Sequence, residues 1–164
     1  MSDPPTTDEI ILDRSMQGTD CRRCVDWAIG MLMIGRDTDY LCRLAGQLPP
    51  FNLYSIATLR DRALEELGFA DLSSDTLICY SVASLLHQHR NDASATWKVL
   101  DSAKCLYVAR DISELQPLYL LWHGLDELKQ FGEQWYVDDM GHANATEVTD
   151  QIIDAFIKSH SMSS

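Results

Sequence analysis

Apolar residues recur at three- and four-residue spacing along most of the chain, and the runs break at glycine, proline or short polar capping residues. From Asp20, the positions Val25, Ala28, Ile29 and Leu32 form a helical stripe that ends at Gly35. Asp37 and Thr38 can cap a shorter helix through Tyr40, Leu41, Leu44 and Ala45, stopped by Gly46 ahead of Pro49-Pro50. Asn52 is a good N-cap for a third helix, with Ile56, Leu59, Ala63 and Leu67 inward, Arg60, Arg62, Glu65 and Glu66 on its wet side, and Gly68 as its stop. Ser73 or Ser74 caps a fourth, carrying Ile78, Val82 and Leu85 and fraying at Asn91-Asp92. A fifth covers about residues 93–109 on Trp97, Leu100, Ala103 and Tyr107. Pro117 fits the first turn of a sixth, where its missing N–H costs nothing, and Leu118, Leu121, Trp122, Leu125 and Leu128 make the most coherent apolar face. Gly132 closes that helix, and Thr146 opens a last one bearing Val148, Ile152, Ala155 and Phe156.

Two stretches lack the period. Residues 1–18 read as a flexible leader, and residues 133–145 as irregular chain with at most one short β element at 134–137. The pattern as a whole predicts an all-α fold: a single domain over residues 19–160, an antiparallel array of about six to seven helices, either a bundle or a short helical-repeat stack, with a disordered tail at 161–164.

Composition agrees with a chain that closes its own core. The 164 residues are 46% hydrophobic and 23% charged. No apolar run approaches the roughly 20 residues of a membrane span. The opening MSDPPTTDEI is polar and acidic, the opposite of a secretory signal, so a cytoplasmic address is expected. Charge changes the picture more. The formal net charge is −12, from 13 basic and 25 acidic residues; residues 111–164 hold 2 basic against 10 acidic and so carry −8 of it. Such a field repels nucleic-acid backbones and anionic membranes and speeds encounter with cationic proteins, so a basic protein partner is expected, with neither nucleic acid nor membrane.

Candidate chemistry is sparse. Five cysteines, an odd number set mostly in helical surroundings, read as reduced thiols rather than a disulfide framework. Cys21-Arg22-Arg23-Cys24 is the sharpest motif, since arginines beside a helix-start thiol favour the thiolate. It lacks the βαβ context of thioredoxins, and only Cys42, His87 and His89 are available as further zinc ligands; two flank cysteines on an amphipathic helix is the plainer reading. His123 is a candidate general base or a hydrogen-bonded core-boundary histidine. The acid pairs Asp126-Glu127 and Asp138-Asp139, with Glu133 and Glu147, read as a solvated face or a cation-binding surface. No P-loop, GxGxxG, G-x-S-x-G or H-E-x-x-H occurs, and no cofactor is expected. Trp135 and Tyr136 stand among Glu133, Asp138 and Asp139, the combination an interface for a basic protein needs: rings for affinity, carboxylates for steering. The competing reading has Trp135 plugging the end of the array.

The stretch from Trp27-Ala28 through Gly35-Arg36-Asp37-Thr38 to Leu44-Ala45-Gly46 and Pro49-Pro50 resembles small helical bacterial proteins, some of them of immunity-protein type, which neutralise a toxin. The resemblance covers about residues 27–50 and carries no catalytic motif. It implies a helical fold and a bacterial setting. The leading expectation is therefore a non-enzymatic, immunity-like module that binds a basic partner through Glu133, Trp135, Tyr136, Asp138 and Asp139. The alternatives are a metal- or thiol-dependent enzyme using Cys21/Cys24 or His123, and a structural homo-oligomer formed through Met31, Met33, Ile34 and Tyr40.

Overall fold

A computed structural model of the chain describes residues 2–161. Among them there are eight α-helices and no strand: α1 (Thr7–Ser15), α2 (Cys21–Met33), α3 (Asp39–Ala45), α4 (Leu53–Glu66), α5 (Asp75–Gln88), α6 (Ala93–Arg110), α7 (Gln116–Phe131) and α8 (Ala145–His160), with a 3-10 turn at Ser113–Leu115. The fold is all-α. No helix among the described residues is long and apolar enough to cross a membrane. The chain divides into two compact units, Met1–Leu77 and Ile78–Ser164, with the junction in the first turn of α5. The expected tail at 161–164 lies, apart from Ser161, outside the described residues.

Capping chemistry fixes most helix starts. Asp20, Thr38, Asn52 and Asp92 each accept a backbone N–H three residues on through the side chain, opening α2, α3, α4 and α6. Gly35, Gly68 and Gly132 follow the ends of α2, α4 and α7 with positive φ, the left-handed turn-off that an L side chain resists.

The first unit corrects two expectations. Residues 7–15 are not a leader but helix α1, opened by a capping box in which Thr6 Oγ1 accepts from Glu9 N–H and Glu9 accepts from Thr6 N–H. Ile10, Ile11 and Leu12 are all buried. The indole N–H of fully buried Trp27 donates to Thr7 at 3.1 Å, and Arg23 reaches back to Asp13 at 3.1 Å, so α1 is tied to α2 by both a core ring and an ion pair. Arg60, expected in water, is 5% exposed. It lies one helical turn from both Ile56 and Leu64, on the inward stripe of α4. Its burial is tolerated because its fork is satisfied: Nε donates to Asp61 at 2.9 Å and Nη1 to Thr19 at 3.1 Å. Asp61 also accepts from Arg14 of α1 at 3.0 Å, and Arg14 donates onward to the Leu72 carbonyl. One carboxylate thus joins α1 to α4.

In the second unit α6 packs on α7 and α7 on α8. The inward residues are Leu100, Ala103 and Leu106 of α6, Leu118, Leu121 and Leu128 of α7, and Ile153 and Phe156 of α8. The last helix is rotated from the expected stripe: Ile152 is half-buried and Ala155 exposed.

Arg60→Ala should lower the stability of the chain by about 2–4 kcal/mol, because it strips a buried network of its donor. Arg62→Ala, whose exposed side chain pairs with Glu65, should change it by less than about 0.5 kcal/mol. Urea unfolding of the two variants checks this; equal midpoints would contradict it.

Candidate functional site

The site grows from the end of α7. Gly132 takes φ 76° and its N–H bonds the Leu128 carbonyl, which ends the helix and turns the chain into the segment 133–144. The segment 134–137 forms no strand. A single side-chain amide organises it instead. Gln134 Oε1 accepts the N–H groups of Tyr136 and Val137, both at 2.8 Å, while its Nε2 donates to the carbonyls of Val137 at 2.6 Å and Met140 at 2.8 Å. Asn144 completes the frame from the other end: it accepts from Gly141 N–H at 2.8 Å and donates to the Asp139 carbonyl at 2.7 Å. Between them Asp139 turns the chain through a left-handed φ of 59°, a conformation that Asp and Asn adopt most readily among residues with a side chain. An irregular loop survives in water only if its backbone groups find partners, and here two amide side chains supply them.

The frame is seated on α7. Met140 is buried, and a Cβ at Gly124 would come within 2.8 Å of its methyl, 3.0 Å of Gln134 Oε1 and 3.3 Å of Val137. Gly124 is therefore the residue that lets the loop approach the helix. Tyr136 stacks on His123 at 5.0 Å and 24°, and the row of rings continues through Tyr119 to Tyr107, with centroid separations of 4.6 Å at each step. Beside it Trp97 and Trp122 stack at 5.1 Å, and the Lys104 ammonium lies 3.5 Å above the Trp122 ring.

The five residues expected to bind a partner fall together on this loop. Trp135 stands at its outer bend, 86% exposed, so it does not plug the array. Glu133, Asp138 and Asp139 are exposed, and none makes an ion pair among the described residues. Tyr136 shows part of one ring to solvent while the stack holds it. The loop thus spends its own polar groups on rigidity and presents an aromatic side chain with three carboxylates outward. Gln134, Asn144 and Gly124 escaped the sequence reading. The one available signal was a glycine inside the strongest helical period of the chain, which marks close packing.

The other candidates come apart. Cys24 is buried, and loss of solvent pushes its thiol up to about 11 against the opposing field of Arg60. The arginines of Cys21-Arg22-Arg23-Cys24 serve elsewhere: Arg22 pairs with Asp26, and Arg23 with Asp13 and Glu9. Exposed Cys42 donates to Asp37 at 3.2 Å, and this bond raises its pKa. No group of three His, Cys, Asp or Glu among the described residues is placed to hold a metal. His123 is enclosed by Tyr119, Trp122 and Tyr136. Its contacts are those of a ring in a stack rather than of a base oriented by a carboxylate. Of the residues expected at a homo-oligomer surface, Met31 and Tyr40 pack on the first unit's core, whereas Met33 and Ile34 are exposed. Compared with protein-family models, curated proteins and solved structures, the chain finds no match.

Two outcomes test this geometry. Gln134→Ala should speed amide exchange at Tyr136 and Val137 on the order of 10–100-fold while leaving the amides of α7 protected; unchanged exchange would remove the Gln134 frame. In the folded protein Cys24 should resist iodoacetamide at pH 8, where on the order of one thiol in a thousand is ionised, and should react once the chain is unfolded. Rapid labelling of Cys24, or zinc held at one equivalent by Cys21 and Cys24, would bring back the thiol and metal readings.

Proposed function

We propose that this chain is a non-enzymatic protein-binding module that engages a basic partner through the loop 133–144, in the manner of an immunity protein covering a basic toxin. The observation that carries the reading is Trp135: a large ring held 86% exposed by a loop whose backbone is internally bonded. A surface indole costs the free protein solubility, and burying it against a partner returns about 25 cal/mol per Å² of apolar area. Because the loop is already braced, little ordering entropy is lost on binding. Glu133, Asp138 and Asp139 stand beside Trp135 in the chain, are exposed, and make no ion pair among the described residues. They lie in a stretch, residues 111–164, with 2 basic and 10 acidic residues. This arrangement suits a partner with an apolar pocket or cationic side chain for the ring and a basic rim for the acids. The resemblance of residues 27–50 to small helical bacterial proteins, some of immunity-protein type, implies a helical fold and a bacterial setting, and both fit this class.

The test is capture from lysate of the source cell by immobilised wild-type chain, by Trp135→Ala, and by the triple variant Glu133→Gln, Asp138→Asn, Asp139→Asn. Asparagine accepts the left-handed backbone at 139, so the loop should keep its shape. The wild type should retain a basic protein that moderate salt releases. Trp135→Ala should weaken its affinity by about 30-fold or more, the size of an interface hot spot. The triple variant should slow association by roughly tenfold at low salt with a smaller effect on dissociation. Retention of the same proteins by all three chains, or of none with a basic composition, would defeat the proposal.

A further inference from the structure

The second unit contains a cavity of about 510 Å³ among the end of α5, the first turns of α6, the far half of α7 and the start of α8. Its volume falls in the range of small-molecule sites, roughly 300–1,000 Å³. The walls are apolar, formed by Leu86, Trp97, Leu100, Leu125 and Ile153. Trp97, braced by its stack on Trp122, gives the cavity a flat aromatic side.

The rim is polar, and its charges are not equivalent. Arg90 is already engaged: its guanidinium bonds Asp154 and feels the field of Asp150, which also lines the cavity. Lys129 lines the same rim and makes no ion pair among the described residues. Ala145, Thr146 and Thr149 bring the first turns of α8 to the same cavity. No side chain caps this helix, because Asn144 is turned back onto Gly141 and Asp139 of the preceding loop. An unpaired ammonium and an uncapped, 16-residue helix N-terminus thus meet at the mouth of an apolar cavity, in a chain whose net charge is −12. Cations are scarce in such a chain, and here one without an ion pair among the described residues stands beside apolar walls, with Glu147 already in the first turn of α8. Asp150 limits how much negative charge the rim accepts, which favours one anionic group over a phosphate carrying two.

We propose that this cavity binds a small amphipathic monocarboxylate, its planar apolar body against Trp97, Leu100 and Ile153 and its carboxylate facing Lys129 and the first turn of α8. The site is separate from the residues of the protein-binding reading, and neither proposal requires the other.

Calorimetric titration of the full chain with 1-naphthoate, 1-naphthylmethanol and 1-naphthylmethylammonium holds the apolar body constant and changes only the head group. Naphthoate should bind saturably at one equivalent and at least about tenfold more tightly than the alcohol, with the ammonium weakest. Lys129→Glu, at an exposed position that should not disturb folding, should cost naphthoate about tenfold or more and leave the alcohol unchanged. Thr149→Trp, which narrows the mouth, should weaken all three. No saturable binding of naphthoate, equal affinity for the three head groups, or an unchanged naphthoate affinity in Lys129→Glu would each overturn the proposal.

Discussion

Four hydrogen bonds from one side-chain amide decide what the end of α7 becomes. After Gly132 the chain has neither a helical period nor a strand partner, so its N–H and C=O groups need other acceptors and donors. Gln134 supplies two of each in a single planar group, and Asn144 closes the far end. The frame fits only because Gly124 lacks a Cβ, which lets Met140 and Val137 rest on α7. Everything proposed about Trp135 follows from this arrangement. The same indole on an unbraced loop would fold back onto the nearest apolar surface and cease to be a presented group.

The fold and the site were legible to different degrees, for reasons that can be located in particular residues. Helix starts at Asp20, Thr38 and Asn52 were readable because capping is a local exchange of one side-chain oxygen for one orphan N–H. Helix α1 was missed although Thr6 and Glu9 spell a capping box, because Ile10-Ile11-Leu12 are consecutive and so trace no stripe; all three are buried, which a one-sided period does not anticipate. Arg60 was misplaced because charge was weighed above position. Its spacing from Ile56 and Leu64 already put it inside, and what the sequence did not show was that Asp61, Thr19 and Arg14 would assemble around it. At the site, the five residues proposed to bind a partner were picked out from composition alone, as aromatics among acids. The amides that hold them were not, since a hydrogen-bonding glutamine in an irregular segment carries no periodic signal.

The two units use charge in different ways. In the first, arginines are spent on structure: Arg14 joins α1 to α4 through Asp61, Arg23 joins α2 to α1 through Asp13, and Arg60 braces Asp61 within α4. In the second, several carboxylates are left in water near the end of the chain, with Glu133, Asp138 and Asp139 outside every ion pair of the described residues. Lys129, which makes no ion pair among the described residues, stands where apolar walls and the start of α8 converge. Both functional readings are thus statements about charge left uncompensated beside apolar surface, one outward at Trp135 and one inward at Trp97.

The braced loop is the central claim, and backbone ¹⁵N relaxation measures it directly. Heteronuclear NOE values at residues 134–140 should equal those of α7, with the Trp135 indole N–H still fully reachable by a soluble paramagnetic probe. Values that fall across 134–140 toward those of a free chain end, or an indole shielded from the probe, would contradict the account.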